Sequence, residues 1–220
     1  MSLGLIIILI VIFGYISNWL NWRYLNYKIT RYLYYIGAFV HESSHALLCL
    51  VTGAKIDEFK VFSDQPHVIH RKPKLAFISN LFISSAPIFG GLLFLFLVDH
   101  FVLGNFLTLN SGGIGGVGGA GGASWQSLLV GPLRLITQIN PLHWQSWVML
   151  LLLINAGAML GPSFQDIKNV WLAVVILFFI QSAPLENLGI VALDLILVNI
   201  ILQIVVVVIV RLIGLIMNHK

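Results

Sequence analysis

His41-Glu42-Ser43-Ser44-His45 places two imidazoles and a carboxylate at HExxH spacing. On an α-helix, positions i and i+4 share a face, so both rings can reach one metal ion. Neutral imidazole nitrogen suits zinc, and a catalytic zinc site keeps three protein ligands and one water. His41 and His45 are therefore candidate zinc ligands. Glu42 sits next to the first, rotated about 100° around the helix axis. Its carboxylate can act as general base, taking a proton from the zinc-bound water and later giving it to a leaving amine. Zinc makes this feasible by lowering the pKa of its water to about 7. The chain has seven histidines and three glutamates. Chance alone would produce the motif roughly 0.003 times per chain, so a chemical role is the better reading.

The motif lies inside residues 32–52, YLYYIGAFVHESSHALLCLVT. This stretch is long enough to span a bilayer, and an ionisable residue within a span is a functional candidate by default. A glutamate at mid-span costs about 2.5–3.5 kcal/mol on insertion scales, whereas helix packing can use cheaper Ser, Thr or Asn.

The rest of the chain has the composition of a bilayer protein. Of 220 residues, 59% are hydrophobic and only 9% charged, against roughly 25% charged in a soluble domain. A single cysteine, Cys49, excludes an intrachain disulfide. The net charge of +4 comes from scattered basic residues, which argues against nucleic acid as a partner.

The expected fold is an all-α membrane protein with about six transmembrane helices, forming one polytopic domain over residues 1–220. The spans are 3–20, 32–52, 75–98, 146–160, 168–183 and 188–217. The first lacks a basic flank before it and a small-residue cleavage site after it, so it reads as a retained helix. The last exceeds the roughly 20 residues a bilayer needs and should tilt or project. Residues 53–74 are polar with period-two stretches such as IDEFKVF, and read as a short membrane-edge β-hairpin or strand. Residues 104–145 read as a Gly-rich loop, flexible around its GGx triplets.

Six crossings from a cytoplasmic N-terminus put Lys55, Lys60, Arg71, Lys72, Lys74, Lys168, Arg211 and Lys220 inside. Arg23, Lys28, Arg31 and Arg134 lie outside. The inside excess favours this orientation.

His41 to Ala46, followed by Leu47-Leu48 and Thr52-Gly53-Ala54-Lys55-Ile56, resembles the site-2 protease family of intramembrane zinc metalloproteases. The resemblance is strong over residues 37–60 and weaker over 80–91 and 155–167. It implies a Gly and a short strand after the HExxH helix, which residues 53–62 match. It also implies an aspartate as third zinc ligand in a later, Pro-rich segment ending Leu-Asp-Gly.

Two aspartates can fill that role. Asp166 follows Gly161-Pro162 at the inner end of the fourth span, and Asp194 lies near the outer end of the sixth. The histidines lie roughly 10–16 Å from the inner end of their own span at 1.5 Å per residue. Asp166 can meet them if the chain folds back into the bilayer at Pro162, which irregular backbone can do where it lines a polar cavity. Asp166 is therefore the expected ligand and Asp194 the alternative. Here Gln165 and Ile167 stand where the family has Leu and Gly.

Among supporting residues, Asn80 could bind substrate by donating to a developing oxyanion, or could bond between helices. Asn155 could fix the Asp166 segment or pack. Pro87 and Gly90-Gly91 should bend or thin the third span for close packing. His67 and His70 read as solvated hairpin residues.

The expected function is hydrolysis of peptide bonds in membrane-spanning or membrane-anchored protein substrates, within the plasma (inner) membrane of a prokaryote. Two other readings remain. A CAAX-type membrane hydrolase would need an intramembrane Glu as third ligand, which is scarce after residue 58. A non-catalytic scaffold or transporter would hold a structural metal closed by a fourth protein ligand. A transporter should also show internal repeats, and none is visible.

Overall fold

The computed structural model describes residues 2–24, 28–62, 66–71, 76–104, 125–163, 165–168, 175 and 183–218. Some side chains within these elements, Asn80 among them, lie outside the described set. The described residues form helices α1 (Leu3–Tyr24), α2 (Lys28–Val51), α3 (Ala76–Phe101), α4 (Trp125–Thr137), α5 (Trp144–Leu160) and α6 (Ala183–Asn218). Strands β1 (Ile56–Lys60) and β2 (His67–His70) lie between α2 and α3.

The helix α5 is central. It packs against α1, α2, α3 and α6, while α1 packs along α6 and α3 along α2. Buried α5 residues include Met149, Leu153, Ala156 and Met159, and they meet Leu193, Leu195 and Ile196 of α6 and Ile6 and Ile10 of α1. Apolar packing alone does not discriminate protein from lipid, so polar side chains fix the register. The Ser17 hydroxyl donates to Asn199 Oδ1 at 2.6 Å. Asn199 Nδ2 donates to the Leu153 and Ile154 carbonyls of α5, and Gln203 donates to Ser17. This ties α1, α5 and α6 at one level.

Among the described residues, three helical stretches are long and apolar enough to cross a membrane: Leu3–Asn21, Phe82–Phe101 and Leu185–Ile209. Six crossings, as expected from sequence, are not confirmed by length and composition among these residues. Residues such as His41, Glu42 and His45 make α2 more polar, and α5 has only 17 residues. The expected span 168–183 lies largely outside the described residues. The long final helix is present, with 36 residues.

One expectation is corrected. The segment 104–145 is not all loop, because Trp125–Thr137 is the helix α4, packed on α6. Gly131-Pro132 reads as a helix breaker in isolation. In the fold Gly131, Pro132 and Leu135 are all buried. A Cβ at Gly131 would overlap the Asp194 carboxylate, so the glycine lets α4 lie close against α6. Residues 105–124, with the GGx triplets, lie outside the described residues.

The expected hairpin is present. It begins at the end of α2, where Gly53 adopts φ 72°. The Ala54 amide donates to the Cys49 carbonyl at 2.8 Å and the Gly53 amide to the Leu50 carbonyl at 3.2 Å. This Schellman arrangement needs a left-handed residue, which glycine adopts without strain. Cys49 and Ala54 then bury against Ile83 of α3. The strands pair antiparallel, Lys60 opposite His67 and Ile56 opposite His70, with a bulge around Asp57. Exposed Asp57 accepts from Arg71 Nε at 3.0 Å. Lys60 beside Glu58 holds that exposed carboxyl below the usual carboxylate range.

Candidate active site

One turn of α2 brings the two histidine rings together. Their centroids are 4.8 Å apart and their Nε2 atoms 3.2 Å apart. Asp166 completes the group, with Oδ2 3.6 Å from His41 Nε2 and Oδ1 3.4 Å from His45 Nε2. All three residues are buried.

These separations test the fit to a metal. Zn–N and Zn–O bonds of about 2.0–2.1 Å in a tetrahedron put neighbouring donors about 3.3–3.4 Å apart. The 3.2 Å between the ring nitrogens, and the 3.4 and 3.6 Å to the two Asp166 oxygens, lie close to that edge, and one donor atom from each residue lies within 4.8 Å of the others. Two neutral nitrogens and a carboxylate are also a normal zinc donor set. The residues fit zinc.

Asp166 reaches this depth because α5 stops short. Leu160 is its last residue, Gly161 takes φ −69° and ψ 126°, and Pro162 cannot continue the ladder. The break is held by α1. A Cβ on Gly14 would lie 2.9 Å from Gly161 and Pro162, and Asn18 Nδ2 approaches the Pro162 carbonyl at 3.4 Å. The chain then starts a new helical turn. The Ser163 amide donates to Asp166 Oδ2 at 2.8 Å, and the Asp166 amide donates to Ser163 Oγ at 3.2 Å. This is a reciprocal capping box. Asp166 therefore caps its turn and faces the histidines at once.

Three close approaches set the depth of α2. At Gly37, one turn before His41, a Cβ would lie 2.7 Å from Ala158 Cβ of α5. Asn155 Oδ1 accepts from the Gly37 amide at 2.9 Å, so Asn155 ties α5 to α2. At Ser44, Gly90 of α3 leaves no room for a Cβ. The Ser44 hydroxyl turns inward and donates to the Val40 carbonyl at 2.6 Å.

The ring nitrogens away from Asp166 differ. His45 Nδ1 lies 2.8 Å from the Ile83 carbonyl of α3. A carbonyl only accepts, so Nδ1 carries the proton and Nε2 keeps its lone pair. His41 Nδ1 is buried with no hydrogen-bond partner among the described residues.

The group opens into a cavity of about 570 Å³. Its walls are His41, Glu42 and His45 of α2, Ile83 and Ser84 of α3, Ser163, Gln165 and Asp166 after the break, and Pro66, His67, Val68 and His70 at β2. Glu42 is half-buried beside the two histidines on that wall.

Other sequence expectations fall differently. His67 and His70 are not simply solvated, because β2 folds back over the site and both line its cavity. His67 also lies 3.6 Å from Glu58. Only the pairing of β2 with β1 reveals this, and a single-strand pattern does not carry it. The side chain of Asn80 lies outside the described residues. Asp194 is fully buried on α6 against Gly131 and is not in the group that could hold a metal.

Residues 5–102 match the family model described as Peptidase M50B-like. That match contains nearly all of α1 and the whole of α2, the hairpin and α3, and ends before α4, α5 and Asp166. No curated protein matches the chain. No solved structure matches it either.

Proposed function

With residues 5–102 identifying this membrane protein as a relative of the M50B-like peptidases, a site-2 protease family, we propose that it is an intramembrane zinc metalloendopeptidase. Its substrates would be membrane-spanning or membrane-anchored proteins. The observation that carries the reading is the set of three buried residues whose donor atoms lie within 4.8 Å of one another, opening on a cavity that Glu42 also lines.

His41, His45 and Asp166 would hold the metal. Bound there, zinc would supply Lewis acidity and make water a competent nucleophile near neutral pH. Glu42 takes the proton that water must lose and delivers it to the amine nitrogen as the peptide bond breaks. The Ser163 amide and the Ile83 carbonyl keep Asp166 and His45 oriented. The cavity admits water to a depth where the surrounding hydrocarbon has none, which hydrolysis requires.

A helical substrate hides its peptide bonds in its own ladder, so it must unwind before cleavage. Addition of an extended segment to a sheet edge is an established recognition mode. The position of β2 along the cavity wall supports that mode here. With six crossings, the excess of basic residues on one side supports a cytoplasmic hairpin and cleavage near that end of the substrate; the proposed residence is a prokaryotic plasma membrane.

A scaffold with a structural metal would need a fourth protein ligand, and three residues make up the group among the described residues. Glu42→Gln tests the enzyme reading. In proteoliposomes with a membrane-anchored reporter, the variant should keep the zinc content and thermal midpoint of the parent and lose at least about 100-fold in cleavage rate. Equal rates would defeat the proposal.

A further inference from the structure

The inference concerns Pro87, a proline inside α3. A helical carbonyl normally accepts from the amide four residues on. For Ile83 that residue is Pro87, which has no amide hydrogen and whose ring crowds the i−4 carbonyl. The Ile83 carbonyl is therefore left without its ladder partner and is pressed away from the helix. His45 Nδ1 stands 2.8 Å from that oxygen. One turn further along α3, Gly90 lets Ser44 of α2 pack without a Cβ between them, which brings the two helices within reach at this level. Ile83, Pro87 and Ser44 are all buried.

We propose that Pro87 is a positioning residue for the metal site: by denying Ile83 its helical donor, it creates the acceptor that locks His45 as the Nδ1–H tautomer with Nε2 turned to the metal. The inference rests on the zinc reading for its purpose, but its geometry stands without the ion. Outer partners of metal-bound histidine fix tautomer and ring orientation in this way. His41 lacks such a partner among the described residues, so the lock acts on one ring of the pair. An alanine at 87 would return an amide hydrogen to the ladder and compete with His45 for the same oxygen.

The test uses the full chain in detergent micelles at a pH where the rings are neutral. Histidine ring nitrogens are labelled with ¹⁵N, and the His45 signals are assigned by their loss in His45→Gln. In metal-free wild type, His45 should show the Nδ1–H tautomer. In Pro87→Ala it should become a mixture or shift to Nε2–H. Zinc affinity, read by competition with a chromogenic chelator, should fall about 10-fold or more in Pro87→Ala. Pro132→Ala, which alters a proline in α4, should leave both readouts unchanged.

A proline that serves only as a bend would change the thermal midpoint and leave the His45 tautomer alone, which overturns the proposal. So would an Nε2–H tautomer in wild type, a measurement that stands even if Pro87→Ala does not fold. Absence of zinc binding in wild type would defeat the metalloprotease reading. The tautomer comparison would still decide the role of Pro87.

Discussion

At the scale of single residues, the site depends on side chains that do two things at once. Asp166 closes a capping box and faces both histidines. Asp166→Ala should therefore lose stoichiometric zinc and also destabilise its turn by about 1 kcal/mol. Asp194→Asn should keep one zinc per chain, because Asp194 lies against α4 and outside the group. Metal analysis of the two purified variants separates these outcomes, and zinc loss in Asp194→Asn alone would move the third ligand there. The pairing of His41 with His45 was legible in the sequence because helical periodicity dictates it. The approach of Asp166 was legible only as an option. It requires Pro162 to end α5 and Gly14 to accept the break, and neither follows from local pattern.

At the scale of elements, close contacts at small residues hold the helices that carry the candidate ligands. Gly37 sits between the His41 turn and Ala158 of α5. Gly37→Ala should force the two helices apart, cost about 1–3 kcal/mol as overpacking, and weaken zinc binding in parallel. Thermal denaturation in detergent with and without zinc reads both effects. Removing the Asn155 hydrogen bond with Asn155→Leu should cost less, about 0.6–2 kcal/mol. The hairpin was legible from its alternation and from Gly53. Its direction is not legible there, which is why alternation alone leaves His67 and His70 in solvent although they line the cavity. The helix α4 was hidden for a different reason. Gly131-Pro132 disrupts the pattern locally, and the contact with α6 that compensates lies some sixty residues on in the chain.

At the scale of the molecule, long and short helices share one core. The 36 residues of α6 extend about 54 Å, well beyond the hydrocarbon thickness of about 30 Å. The 17 residues of α5 extend about 25 Å, less than that thickness. The short helix is the central one, and the break that delivers Asp166 is its end. A site set by the end of so short a helix is expected to respond to the thickness of the surrounding bilayer. Reporter cleavage in proteoliposomes should be faster in short-chain than in long-chain phosphatidylcholine, with zinc content equal in both. Equal rates would show that the protein shields its short helix from the lipid. If the rates differ, the molecule would be a gauge of membrane thickness, working where the bilayer is thin and idling where it is thick.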